Sequence, residues 1–272
     1  MIKIQTVKKG AELVSIKFND IEKMHDGESF WNRHSPVLFP IVGKLKDGKT
    51  TIMGKEYFMG QHGFARDMEF EEIGENSYVL KSNEETLEKF PFKFELYISY
   101  NVEGNKVTTQ YKVVNKDDKM MCFGLGGHPA FACEYASGKY RLDFQDVETD
   151  VEIYQLEDGL VKLMPEKTNK FIRENRIFLD NHIFQKDAVI MKNLNSSRVY
   201  LKTEAKTILA FEFKDFPYLA IWSKPDAPFV CIEPWFNTAD KVNSNGIFEE
   251  KEDLIELMPN QEFTSEYSVE FF

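Results

Sequence analysis

Three cysteines, no long apolar run and no surplus of basic residues are spread over 272 positions, and each shortage removes a class of function. Cys122, Cys133 and Cys231 form an odd, widely spaced set without a CxxC pair. That spacing supports neither a disulfide framework nor a zinc site, and the three read as buried or incidental thiols. No stretch approaches the roughly 20 apolar residues that a bilayer-spanning helix needs. Met1–Phe18 lacks an uninterrupted apolar region ahead of a small-residue cleavage site, so a cytoplasmic protein without a membrane partner is expected. The net charge of −11 opposes nucleic acid as a partner, because neutralising phosphates takes a basic surface. The chain also lacks GxGxxG, GxxxxGK(S/T) and GxSxG strings, so nucleotide-binding folds and a serine-hydrolase elbow have no support. No pair of histidines has HxH or HxxxH spacing, which leaves a metal centre without a motif.

What is present is a chain rich in alternation. With 42% hydrophobic and 14% aromatic residues there is ample material for a large core. Phe92–Tyr100 and Lys106–Val114 flank Glu103-Gly104-Asn105 and predict a β-hairpin. Similar runs occur at Glu12–Phe18, Thr50–Phe58, Glu69–Leu80, Tyr140–Phe144, Val151–Leu156, Val199–Thr203, Ile208–Phe213, Leu219–Trp222, Phe229–Ile232 and Thr264–Phe271. Helical patterning is confined to Glu84–Phe90, ended by Pro91, and Glu249–Met258, ended by Pro259. Many short strands with few helical turns predict an all-β antiparallel sandwich or barrel. No internal repeat or Gly/Ser/Pro-rich linker divides the chain, so residues 1–272 are expected to form one domain.

Three short segments concentrate chemistry. In Gly126-Gly127-His128-Pro129-Ala130-Phe131, glycine permits close backbone approach and Pro129 biases His128 toward an extended conformation. An imidazole there can give or take a proton near neutral pH; the structural alternative is a histidine hydrogen-bonded in a turn. In Gln61-His62-Gly63-Phe64-Ala65-Arg66-Asp67, an extended backbone would project residues 62, 64 and 66 to one face, placing His62 and Arg66 in one site. The alternative is Arg66 paired to Asp67 and a capping histidine. In Cys231-Ile232-Glu233-Pro234-Trp235, a carboxylate ends an apolar run. Such a group is costly unless paired or functional, and burial would raise its pKa toward that of a useful base. Its structural alternative is an ion pair with Lys224 or Arg66. Trp222, Trp235, Phe64 and Phe131 flank these groups and could stack on sugar rings, or simply fill the core. His25, His34 and His182 sit in polar surroundings and are expected to be exposed.

Taken in order, Pro36–Leu45, Gln61–Phe70, Gly126–Phe131 and Ala227–Trp235 with Asn237–Asp240 resemble the aldose 1-epimerase (galactose mutarotase-like) family, in particular its LacX-type branch. The resemblance runs from about Gly27 to the C-terminus. It implies a galactose mutarotase-like β-supersandwich of antiparallel sheets and interconversion of the α and β anomers of a small-molecule sugar or sugar phosphate, as a cofactor-independent isomerase. It further implies Glu233 as base, His128 as acid and His62 as a partner holding the ring oxygen or neighbouring hydroxyls. Asp187 resembles the family aspartate that binds sugar hydroxyls. Lys44 stands where the family often has arginine, and Arg66 could compensate or serve a phosphate. Trp222 and Phe131 complete the expected substrate contacts, without a metal. The competing reading is a non-catalytic carbohydrate-binding or sugar-sensing protein on the same fold, and either would be a monomer or homodimer.

Overall fold

In the computed structural model, which describes all residues except 163, 166–170 and 181, the strands collect into two large antiparallel sheets. Among the described residues one sheet has nine strands. Its order is Arg176–Leu179, Tyr140–Phe144, Arg198–Lys202, Thr207–Glu212, Glu262–Phe271, Lys106–Asn115, Phe94–Glu103, Ser77–Lys81 and Glu71–Gly74. The other has seven: Glu152–Tyr154, Val189–Lys192, Tyr218–Trp222, Phe229–Trp235, Gly126–Gly127 and Val37–Leu38 in order, with Ala130–Ala132 also paired to Phe229–Trp235. This is the all-β antiparallel architecture that the alternation predicts. No helix is long and apolar enough to cross a membrane.

Period-2 alternation decides which face each side chain takes. In the hairpin Phe94–Glu103 and Lys106–Asn115, Leu96, Ile98, Val107, Tyr111 and Val113 point inward and are buried, with Glu103 opposite Lys106 across the turn. Gly104 takes a φ of +61° there, a left-handed conformation that suits glycine. Opposite, Leu219, Ile221, Val230 and Ile232 of the seven-stranded sheet join the same buried cluster, which runs from Ile2 to Phe271. The other face of the seven-stranded sheet carries Tyr218, Ala220, Trp222, Phe229, Cys231, Glu233 and Trp235. One register therefore sends hydrophobic residues to the core and the candidate chemistry to the far side.

Several boundaries differ from the sequence reading. Thr50–Phe58 and Glu69–Leu80 are each two strands around a tight turn, at Met53-Gly54 and Glu75-Asn76. Glu84–Lys89 is a helix, its first turn closed by Asn83, which accepts from the Thr86 amide at 3.0 Å while Thr86 Oγ1 accepts from the Asn83 amide at 2.8 Å. Glu249–Met258 is not helical. It holds one 3-10 turn at Phe248–Glu250 and a short strand, Ile255–Leu257, paired with Met121–Phe123. The charged residues that suggested a helix there are used singly: Lys251 bonds Asp240 at 2.8 Å, and Asp253 takes Lys192 at 2.6 Å.

Candidate functional site

Glu233 lies on the outward face of the strand Phe229–Trp235, directly opposite Ala220, and is only 1% exposed. His128 reaches it from the short connection between Gly126–Gly127 and Ala130–Ala132. That connection is held against the Glu233 strand by the Ala130–Cys231 pairing and by the Ile232 amide, which donates to the Pro129 carbonyl at 3.3 Å. The result is a contact of 3.1 Å between His128 Nε2 and Glu233 Oε2. Gly126 is needed for this approach, since a Cβ at that position would sit 2.7 Å from Trp235 Cδ1.

His62 is placed by backbone rather than by an extended strand. It adopts φ of 65°, a costly left-handed conformation for a side chain with a Cβ, and Gly63 follows at 72°. The segment then turns through a 3-10 helix at Ala65–Asp67, so residues 62, 64 and 66 do not share one face as expected. A Cβ on Gly63 would lie 2.2 Å from the Phe39 carbonyl oxygen. The Gly43 amide donates to His62 Nδ1 at 3.0 Å, which fixes the proton of the neutral ring on Nε2. The His62 and His128 rings stand nearly perpendicular, with centroids 5.6 Å apart.

Burial sets the electrostatics. It pushes the Glu233 carboxyl well above the usual carboxylate range, and nearby Asp187 adds to the effect. Burial likewise pushes His128 well below an ordinary imidazole, with Arg66 and Arg33 acting in the same direction. His62 is lowered by burial, then by His128, Arg66 and Arg33. Both shifts favour the neutral forms of the pair, a protonated carboxyl facing a neutral imidazole across the 3.1 Å contact. Apart from that His128–Glu233 contact, the Glu233 oxygens, His128 Nδ1, Arg66 Nε and Trp235 Nε1 are buried without a protein hydrogen-bond partner. Orphaned polar atoms in such density mark a place built to receive a polar ligand.

Two residues that sequence reasoning missed complete the surroundings. Trp31 lies over His128 with ring centroids 4.8 Å apart, and meets Trp222 edge-on at 5.6 Å. Arg33 donates to Asp67 at 2.8 Å, so Asp67 is bound chiefly to Arg33, with Arg66 Nε 3.8 Å away. The irregular segment holding Trp31 and Arg33 carries no signal of this, because nothing in it shows which distant residues it folds against. Arg66 donates instead to the Gln61 carbonyl at 2.7 Å, and burial, then Arg33, push its guanidinium down to about 10.

The remaining expectations divide. Trp222 borders His128 at 5.6 Å. Asp187 is exposed, at φ of 79° just before the strand Val189–Lys192, close enough for its charge to act on Glu233. Lys44 is exposed and directs its ammonium to the Asp158 carbonyl at 3.0 Å, which braces the Leu156–Val161 hairpin. Phe131 is a correction: it points inward, 1% exposed, and packs on Phe211 at 6.0 Å, because its strand position is opposite in parity to Ala130 and Cys231. Phe64 is core as well, against Phe39 and Phe94. His25 is buried rather than exposed, bonded through Nε2 to the Trp31 carbonyl at 2.8 Å, whereas His182 is exposed. The ion pairs considered for Glu233 with Lys224 or Arg66 do not form among the described residues; the ionisable side chain in contact with it is His128.

Comparison with known proteins places these features in context. The sequence model of the family described as aldose 1-epimerase matches residues 2–269. The chain is 32% identical to the plasmid-encoded protein LacX of Lactococcus lactis subsp. lactis, over 96% of this chain and 93% of that one. A galactose mutarotase related enzyme from Lactobacillus acidophilus, solved by X-ray diffraction, superposes with a TM-score of 0.90 at 34% identity, covering 100% of this chain and 95% of the other. A galactose mutarotase-like protein from Lactobacillus casei superposes equally well, with a TM-score of 0.90 at 29% identity, covering 100% and 97%.

Proposed function

The chain belongs to the aldose 1-epimerase family, and on that premise we propose that it interconverts the α and β anomers of an aldohexose or hexose phosphate, with Glu233 as base and His128 as acid. The observation that carries this reading is the 3.1 Å contact between a buried imidazole and a buried carboxyl that otherwise lacks a partner. Ring opening needs one group to take the proton of the anomeric hydroxyl and another to protonate the ring oxygen. A proton passing from Glu233 to His128 turns the resting pair into carboxylate and imidazolium without exchange with solvent. The carboxylate then removes the O1 proton, the C1–O5 bond breaks as C1=O1 forms, and His128 protonates O5. Rotation about C1–C2 and the reverse transfers give the other anomer and restore the pair.

The neighbours have orienting parts in this scheme. His62 offers its Nε2–H as a fixed neutral donor, and Asp187 accepts from hydroxyls at the rim. Trp222 and Trp31 supply apolar ring faces. Lys44 is assigned to bracing the Leu156–Val161 hairpin rather than to the sugar. Arg33 and Arg66 crowd positive charge beside the imidazoles, with Asp67 as their shared carboxylate, an arrangement that favours an anionic sugar. The reading takes residues 1–272 as one unit, supported by the buried cluster from Ile2 to Phe271.

Polarimetry on freshly dissolved α-glucose, α-galactose and their 6-phosphates tests the activity. Relaxation faster than in buffer is expected for at least one sugar, and its absence for all of them overturns the enzymatic reading. Sugar binding by calorimetry without rate enhancement would select the non-catalytic alternative. Arg66→Ala is expected to slow a 6-phosphate more than the free hexose. Equal losses on both sugars would remove the phosphate assignment.

A further inference from the structure

Cys231 has no part in the proposed reaction, yet it faces the reacting pair. It is two residues before Glu233 on the same strand, so both side chains leave the same face of the sheet, and the Ala130 pairing brings the His128 turn over them. One donor atom from each of His128, Cys231 and Glu233 lies within 4.8 Å of the other two, and all three residues are buried. We propose that this trio is an inhibitory Zn²⁺ site, in which the metal takes the His128 nitrogen, the Cys231 thiolate and a Glu233 oxygen and leaves a fourth position open.

The geometry and the donor set both fit. Tetrahedral zinc at usual bond lengths separates its N, O and S donors by about 3.4–3.6 Å. His128 Nε2 and Glu233 Oε2 are already 3.1 Å apart, so side-chain shifts of roughly 1 Å close the set. Thiolate, imidazole and carboxylate together suit zinc better than magnesium or calcium, which take oxygen ligands. Independently of the cluster, Glu233 Oε1 is buried without a protein hydrogen-bond partner and Oε2 meets only His128, so the carboxyl, once ionised, presents free lone pairs to the site. Coordination deprotonates a thiol outright, so binding releases the Cys231 and Glu233 protons to solvent, with no change of oxidation state. Affinity then rises with pH, up to about a hundredfold per unit where two protons leave. The bound metal occupies the lone pairs that would otherwise take the O1 proton.

Metal binding stands apart from the sugar chemistry; only the word inhibitory rests on the proposed function, and two readouts separate them. Titration with Co²⁺ as the probe should give one equivalent bound and a thiolate-to-cobalt charge-transfer band in the near ultraviolet, discharged by Zn²⁺. Cys231→Ala and Cys231→Ser should lose the band and weaken Zn²⁺ binding at least tenfold, with circular dichroism checking that each has folded. Cys133→Ala, a buried thiol outside the trio, should keep both. No band in the unaltered protein, or a band surviving in a folded Cys231 variant, overturns the site. Zinc should slow mutarotation reversibly with chelator, and the ratio of rates with and without zinc should move toward one in the Cys231 variants. Zinc bound at Cys231 with an unchanged rate would overturn the inhibition alone. A protein that turns over no sugar would still be decided by the cobalt band.

Discussion

Replacing Glu233 with glutamine keeps the shape of the side chain, removes its ability to take a proton, and has opposite expected effects on activity and stability. A positioned general base contributes ~10²–10⁴-fold, so Glu233→Gln should lower kcat by that factor, or about 3–5 kcal/mol in the barrier. The amide still offers an oxygen and a donor at the 3.1 Å contact, so KM should move by no more than a few-fold. Stability should rise. Burial raises the folded-state pKa of Glu233 above its unfolded value, so its contribution is fully present below the ordinary carboxylate pKa and is lost as pH rises through the folded value. At pH 8 the unfolded chain gains from ionising this group, whereas glutamine gives it no such advantage. Removing that term should raise the Tm of the variant above that of the unaltered protein at pH 8. The gain should shrink as pH falls toward 4. Polarimetry at saturating sugar and thermal melts at pH 4.5 and 8 read both effects. Retention of a tenth or more of the wild-type rate would refute Glu233 as base, and a variant less stable at pH 8 would refute the desolvation argument.

Other consequences follow from the same geometry. The acid limb of kcat/KM should lie well below pH 6.5, because burial depresses His128, and the alkaline limb well above the carboxylate range, because burial raises Glu233. An inflection at 6.5 in the pH–rate profile would mean that His128 titrates as an exposed imidazole. Phe131→Ala should cost about 3–5 kcal/mol in urea unfolding through loss of the packing on Phe211, as for other buried aromatics. A sugar-contact role would instead raise KM at unchanged stability. Gly63→Ala forces a Cβ to 2.2 Å from the Phe39 carbonyl oxygen at φ of 72°, so both Tm and activity should fall together.

The sequence exposed the strands because antiparallel sheets with one buried face write their register as alternation. It also located His128 and Glu233, since each stands against its local pattern: an imidazole between glycine and proline, and a carboxylate closing an apolar run. It misjudged Phe131, which shares a short segment with His128 yet faces the opposite way, because one residue of offset in a strand reverses the side. Its route to a shared face for His62 and Arg66 required an extended segment, whereas a left-handed conformation at His62 and Gly63 turns the chain. Pattern alone does not distinguish a glycine that frees φ from one that merely leaves space. Trp31 and Arg33 escaped notice because nothing in their own segment shows that it folds over a histidine nearly a hundred residues later.

Two buried histidines stand ring to ring, and their backbone contacts as well as their distance from the carboxyl separate their roles. His62 Nδ1 accepts from the Gly43 amide, so protonating that nitrogen would break a 3.0 Å hydrogen bond and leave a buried N–H without a partner. Its other neighbours, His128 and two guanidinium groups, also disfavour a cation. His62 is therefore held as a neutral donor, able to steady an oxygen but poorly suited to deliver a proton. His128 has the opposite wiring: Nε2 faces Glu233, and Nδ1 has no protein partner. Positive charge on it is opposed by Arg66 and Arg33 but answered directly by the carboxylate 3.1 Å away, so imidazolium forms there only as Glu233 ionises. In the proposed reaction acid and base are charged together and discharged together. The division of labour then depends on the Gly43 amide as much as on either ring.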